Sequence, residues 1–519
     1  MQRLHSTILL LPLLWLPAAP LQETPPAASA PVADAERARD PELLALIEQA
    51  RLAVAARYGE QQRAEPVAVK IVDRDRLVAT MTVDLGPQMR MQFEDEEVAA
   101  NQARSFAETI GFAVLARYCW TEQAILVCPE NFDFMAELFE DESLTDDGIL
   151  RAVLVHEFVH ANDSRTHDLA EFLNSSSDVD ALHARNAVIE GHAQRVARAV
   201  CADQGWSAGF LQFTDLIDAV PPGIDDPIAR MTMEVAAQSF AFAYYDGERL
   251  VDAVAAARGQ EGIEALFSSP PRSPIEVLRP DWYLDPSLRP ASEIDLERGL
   301  DRFVELVVQE GQREQRLNLL PSQVRAIFAG LPELQVRRFQ EAMIECRLVV
   351  ATDPEQPGAM RSIGLFQFGT AGEALAGLAL ERALLKFRDE QMAEGPIHIA
   401  ESEYLEIALE GGERGLAAMK TVETPIDSLE VTTVLLVNGP LLVEVSAVFA
   451  PEEHNVLAEW GRATLEAALR PPAVGDGEVG DGQVEDGQVE DGQVEDDESD
   501  PSGDGSPEAG ADDSSDEPH

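Results

Sequence analysis

His156, Glu157 and His160 form an HExxH pattern set in an apolar run, with Ala152-Val153-Leu154-Val155 before it and Phe158-Val159 inside it. On a helix, residues four apart share a face, so both imidazoles can aim at one point. Glu157 sits about a hundred degrees round the helix, beside that point. Two neutral imidazoles and an adjacent carboxylate are the parts a hydrolytic zinc needs: two ligands, and a base for water at the metal. The bland alternative is two core histidines and a capped glutamate. It requires partners for three polar groups on a buried helix, because unpaired ones are costly there.

The flanking sequence must position these groups. Ser143, with Asp146 three residues on, reads as a capping box that starts the motif helix, and Asp146 and Asp147 favour its positive end. Polar residues from Asn162 onward, including Ser175-Ser176-Ser177, predict a stop near Asn162 and then a loop. A second helix is expected from Ala181 to Val200. It carries Glu190, thirty residues after His160, and also His192. These two point to different sides of a helix, so only one reaches the metal; Glu190 is the expected third ligand and His192 its competitor. Gly191 and Ala193 would let this helix approach the motif helix closely. His167 and His183 read as solvated. Asp163, Asp178 and Asp180 read as caps or surface charges, any of which could instead orient a ligand histidine. Upstream, residues 112–116 and 124–128 read as strands joined by a polar turn, 36–58 and 94–110 as helices, and 67–85 as a strand with a short helix.

Three segments together resemble the gluzincin group of zinc metallopeptidases, and within it exported bacterial peptidases. They are His156-Glu157-Phe158-Val159-His160-Ala161, Glu190-Gly191-His192-Ala193 and Pro270-Pro271-Arg272-Ser273, and the likeness covers roughly residues 40–290. The resemblance implies a zincin-like domain, helix-rich with a small mixed sheet, over residues 36–290. It implies one Zn2+ per chain held by His156, His160 and Glu190, with Glu157 as general base and then acid. It also implies an edge strand along the cleft that pairs with an extended peptide or protein substrate. Tyr244 or Tyr245 is a candidate second electrophile. The chain departs from the pattern at Asp163, where an uncharged residue is usual, at Gln194, where several relatives have an acid, and at Val277-Leu278-Arg279-Pro280, where relatives often have a histidine. The departures at Asp163 and Gln194 favour a second reading, a non-catalytic binding or structural protein on the same scaffold, and the intact Glu157 argues against it.

Composition bounds the rest. A formal charge of −55 over 519 residues argues against nucleic acid and anionic membrane surfaces as partners. Residues 1–20 have the form of a signal peptide: Arg3, an apolar core from Ile8 to Leu16, then Ala18-Ala19. That core is short for a membrane span, so export without stable insertion is expected, with an uncleaved anchor as the alternative. Residues 21–35 read as a flexible leader. Four cysteines suit an exported chain; Cys119 and Cys128, flanking the expected hairpin, would pair, leaving Cys201 and Cys346, with four reduced, buried thiols as the alternative. Residues 291–470 read as a second α+β region, making the whole chain α+β. Helices are expected at 296–308, 317–346, 375–388 and 454–469, and strands at 429–436 and 441–449 around Asn438-Gly439-Pro440. Residues 471–519, with a repeated Asp-Gly-Gln-Val-Glu unit and no Lys, Arg or aromatic residue, read as a disordered acidic tail.

Overall fold

A computed structural model of the chain describes residues 41–470, apart from 59–66, 94–95, 218, 223–232, 234–235, 290–293, 310, 319–327, 329–330, 354–358, 394–397, 409–413, 424–427 and 449–452. The expected signal peptide, leader and acidic tail lie outside the described residues. The architecture is α+β: helices around a small sheet, then a large antiparallel sheet with helices on both faces.

Helix α1 (Pro41–Tyr58) buries Leu43, Leu46, Ile47, Ala50 and Val54, one stripe of a 3.6-residue period, against the motif helix. Strand β1 (Ala68–Ile71) leads into α2 (Arg74–Gln92), which Asp73 caps by accepting from the Arg76 N–H at 2.7 Å. This helix is longer than expected, running through Pro87 to Gln92. Its partner α3 (Glu96–Ile110) presents Ala99, Ala103 and Ala107, small residues four apart that allow close packing.

The small sheet has the order β1-β3-β2, with β1 parallel and β2 antiparallel to a wholly buried β3 (Ala124–Val127). Strand β2 (Ala116–Cys119) begins later than expected. The amide of buried Asn131 donates to the carbonyls of Gly111 and Val114, both at 2.7 Å, and fixes residues 111–114 as a bend. The expected Cys119–Cys128 disulfide is absent; all four cysteines are free and buried. Cys119 is opposite Ala124, whereas Cys128 follows Val127 at the other end of the hairpin. Four strand residues span roughly 13 Å, beyond the ~7 Å Cα separation a disulfide tolerates. Burial pushes the Cys128 thiol up to about 12.

After α4 (Pro129–Leu138) come the site helices: α5 (Asp147–His167), α6 (Leu169–Asn174), α7 (Val179–Gln204), α8 (Ser207–Ile217) and α9 (Gly247–Ser268). Two crossings have no room for a side chain. A Cβ on Gly191 would lie 2.1 Å from the Gly247 carbonyl carbon, and one on Gly209 would lie 2.2 Å from the Gly148 carbonyl. Gly191 therefore serves the approach of α9, not of the motif helix as expected. Ala193 does face the core that the motif helix shares. Short helices α10 (Pro274–Leu278) and α11 (Pro280–Leu284) follow the Pro-Pro-Arg-Ser segment.

Beyond α12 (Leu296–Val307), seven strands form one antiparallel sheet in the order β4-β5-β6-β10-β9-β8-β7. The expected helix over 317–346 is corrected. Arg313–Asn318 is β4, Glu333–Ala342 is helix α13, and the chain passes straight into β5 (Met343–Thr352), which carries Cys346. Strand β6 (Met360–Phe368) and helix α14 (Ala371–Gln391) precede two strands the sequence reading missed, β7 (His398–Ala408) and β8 (Arg414–Glu423). The expected hairpin is present as β9 (Ser428–Asn438) and β10 (Leu441–Val448), turned at Gly439 with φ +56°. Strand β10 is apolar nearly throughout because both faces are covered: Leu441, Val443 and Val445 meet α12 and α15 (His454–Leu469), while Leu442 meets α13 and α14.

Candidate metal centre

The motif helix α5 starts one turn later than a Ser143 cap would place it. Ser143 lies in a short 3-10 turn (Glu142–Thr145) capped by Asp141, whose carboxylate accepts from the Ser143 N–H at 2.9 Å. Asp146 is the N-cap residue of α5, with no side-chain capping bond. The helix also continues past Asn162 to His167. Polar residues there have tertiary partners, so their polarity does not end the helix: Asp163, 3% exposed, receives the His192 ring nitrogen Nδ1 at 2.7 Å. Asp168 then closes α5 in a left-handed conformation (φ 44°) and caps α6 through the Glu171 N–H.

One turn apart on α5, His156 and His160 are 0% and 4% exposed, with their Nε2 atoms 2.9 Å apart. Glu190 comes from α7, which Asp178 caps by accepting from the Ala181 N–H. The Glu190 Oε2 lies 3.1 Å from His156 Nε2 and 3.2 Å from His160 Nε2. A cation at ~2.0–2.1 Å from each of three tetrahedral ligands holds them about 3.3 Å apart. The triangle therefore has the size of a metal's ligand shell, and its nitrogen and carboxylate donors suit zinc. Donor atoms of His156, Glu157 and His160 also lie within 4.8 Å of one another. Of the two carboxylates, Glu190 has the ligand-like separations.

Glu157 is held differently. Its Oε2 accepts the Tyr118 backbone N–H at 2.5 Å, from the outer side of edge strand β2. Burial raises the Glu157 carboxyl to about 7, reinforced by Glu190 and opposed by His156 and the Tyr118 N–H. Burial also opposes ionisation of Glu190, but the two imidazoles win and hold it well below the usual carboxylate range. Two adjacent carboxyls are thus driven apart by their surroundings, one toward a fixed anion and one toward neutrality.

Around this cluster, Tyr244 stacks on His156 with ring centroids 5.1 Å apart and planes 9° from parallel. It lies in a π-helical turn, Phe242–Asp246, at the entrance to α9. Burial and the nearby Glu190 carboxylate raise its phenol well above the ordinary value. Tyr245 faces elsewhere and donates to the Thr214 carbonyl at 2.5 Å. Phe213 and Trp120 meet His156 and His160 edge-on, at 5.7 and 6.2 Å.

Among the remaining candidates, His192 is committed to Asp163, so it is Glu190 that meets the imidazoles. The Asp163 charge outweighs burial and raises the His192 pKa. The charged residue at 163 thus has a structural reason. Asp180 pairs with Arg347 at 3.4 Å. His167, expected to be solvated, stacks on Phe267 at 4.0 Å and lies 3.5 Å from Glu264. His183 is half-buried, and burial lowers its pKa to about 4. The Nδ1 atoms of His156 and His160 are buried and have no hydrogen-bond partner among the described residues, nor has the amide of Gln194, one turn beyond Glu190. Ligand histidines commonly donate that second N–H to a carboxylate or carbonyl. Sequence reasoning did not find the Tyr118 N–H or the Trp120 and Phe213 contacts.

No family model matches the chain, and no match to a curated protein was found. Among solved structures, the extracellular domain of PknH from Mycobacterium tuberculosis aligns with 34% of this chain and 96% of its own, at 11% identity and a TM-score of 0.23.

Proposed function

We propose that the chain is an exported zinc-dependent metallopeptidase with a zincin-like catalytic domain over residues 36–290. The observation that carries this reading is the triangle of His156, His160 and Glu190 at 2.9–3.2 Å, with an unliganding carboxylate, Glu157, beside it. Zinc bound there would polarise a scissile carbonyl and acidify a water. The chain's own residues supply the remainder. Glu190 stays ionised and offsets cationic charge. Glu157, poised near neutrality and steered by the Tyr118 N–H, takes a proton from water and later gives it to the leaving amine. Tyr244 and Trp120 fix the imidazole planes and restrict water around them. Strand β2 offers an extended peptide the part of its edge beyond the Tyr118 N–H that Glu157 occupies.

Among the described residues, no helix is long and apolar enough to cross a membrane. Export itself rests on the expected signal peptide. The partner is accordingly a peptide or protein substrate. The unheld Nδ1 atoms and the Gln194 amide favour a second reading, a metal-holding protein without turnover.

Digestion of a broad peptide library separates the two. The peptidase reading expects cleavage by the zinc-reconstituted wild type that stops with chelator and in Glu157→Gln. Full zinc occupancy with no cleavage would favour the second reading.

A further inference from the structure

Beside the candidate centre sits a guanidinium whose donors are poorly used. Arg117 lies on β2, next to Tyr118, and its side chain leaves the opposite face of the sheet. There it pairs with Asp84 of α2, but at 3.7 Å from Nη2 to Oδ2, too long for a hydrogen bond. Asp84 is engaged elsewhere, accepting from the Thr121 hydroxyl at 2.6 Å, and its Oδ2 has no hydrogen-bond donor among the described residues. The Arg117 Nε is buried without an acceptor. A guanidinium carries five N–H donors in a planar fork matched to a carboxylate. Burying even the Nε donor unused is costly.

The position of the charge matters. Arg117 is 23% exposed while Asp84 is 0% exposed, so the anion sits behind and the cation in front. Asp84 anchors the guanidinium without saturating it. Arg117 also immediately precedes Tyr118, whose N–H holds the Glu157 carboxylate at 2.5 Å, so the guanidinium rises from the same edge strand that borders the candidate centre. In a chain of formal charge −55, this is a local cationic spot beside a candidate catalytic carboxyl.

We infer that Arg117 is a specificity-determining residue that receives a carboxylate of the peptide substrate, through the fork that Asp84 holds in place. This rests on the peptidase reading for the word substrate. The carboxylate is either the peptide's C-terminal group or an acidic side chain.

The test reads binding, so it does not depend on turnover. Zinc-loaded Glu157→Gln protein is titrated by calorimetry with one neutral, C-terminally amidated peptide, its free acid, and an amidated version carrying one glutamate. The free acid or the glutamate peptide should bind roughly 10- to 100-fold tighter than the neutral one, as charge-assisted hydrogen bonds warrant. Whichever binds tighter identifies the source of the carboxylate. Adding Arg117→Met together with Asp84→Asn, so that no buried charge is left alone, should erase the preference and leave the neutral peptide's affinity unchanged. Arg117→Lys should keep part of it and guards against misfolding of the double substitution. Equal binding of charged and neutral peptides, or a preference that survives the double substitution, overturns the inference. Should the preference hold while the zinc-loaded wild type hydrolyses nothing, the peptidase reading falls and the carboxylate site stands.

Discussion

Glu190, half-buried on the helix behind the motif, and Glu381, buried on the helix above the large sheet, are carboxyls with opposite fates. Glu190 meets two imidazole nitrogens at 3.1 and 3.2 Å, and these overcome burial and keep it ionised. Glu381, 5% exposed, faces Glu444 across the contact between α14 and β10; burial and that second acid push it well above the usual range, with Arg388 opposing. Ser446, bonded to Thr433 at 3.0 Å, completes a polar patch there. Nearby, Lys420, Asp389 and Tyr404 are paired among themselves. Burial beside a second acid raises a carboxyl's pKa; convergence of complementary donors makes a site. The sheet region contains buried acids, and the motif region contains a geometry.

The largest effect expected from this contrast is on metal. Glu190→Ala should lose stoichiometric zinc by elemental analysis, while Glu381→Ala should leave zinc content unchanged. Glu157→Gln should retain zinc and lower turnover by roughly 10²- to 10⁴-fold, the usual contribution of a positioned general base.

The next is on packing. In Gly191→Ala the new Cβ meets Gly247 backbone, which cannot yield, so a loss of more than about 3 kcal/mol is expected in denaturant unfolding. In Gly377→Ala of α14 it meets the ring tips of Phe368 and Phe339 at 2.9 and 3.0 Å, which can shift, so the loss should be about 1–3 kcal/mol.

The two acids should also separate by pH in metal-free protein. The folded pKa of Glu381 is raised, so its contribution to stability is complete below the unfolded value and is lost as pH rises toward the folded value. Glu381→Gln should flatten the decline in thermal midpoint over that alkaline-going window. Glu190 has a depressed folded pKa, so its contribution is present above the unfolded value and is lost as pH falls. Glu190→Gln should flatten the acid limb instead.

The smallest effect is expected from reductant. With Cys119 and Cys128 free at opposite ends of their hairpin, dithiothreitol should leave the thermal midpoint unchanged.

How far the sequence revealed this contrast depended on how local each signal was. His156, Glu157 and His160 were legible because one helical turn brings them together, and Glu190 because its helix follows within thirty residues. The partner of Glu157 was not legible: a backbone N–H at Tyr118 has no letter of its own. Nor was the end of α5, since the polarity of Asp163 reads as a stop until His192 of the next helix is seen to pair with it. Tyr244 was visible only as one of two tyrosines in the same turn, and only their contacts tell them apart: Tyr244 stacks on His156 while Tyr245 donates to the Thr214 carbonyl. In the second half, β9 and β10 showed through apolar runs around Gly439, whereas β7 and β8 were hidden. Glu401, Ser402 and Glu403 are solvent-exposed, and Ala417-Ala418 lacks the branched residues that mark strands.

Zinc K-edge absorption on the reconstituted wild type tests the central claim most directly. The account predicts one zinc per chain, with two imidazole nitrogens and carboxylate oxygen at ~2.0–2.1 Å and loss of the ion in Glu190→Ala. Absence of bound zinc after reconstitution, or a coordination shell without histidine, would contradict it.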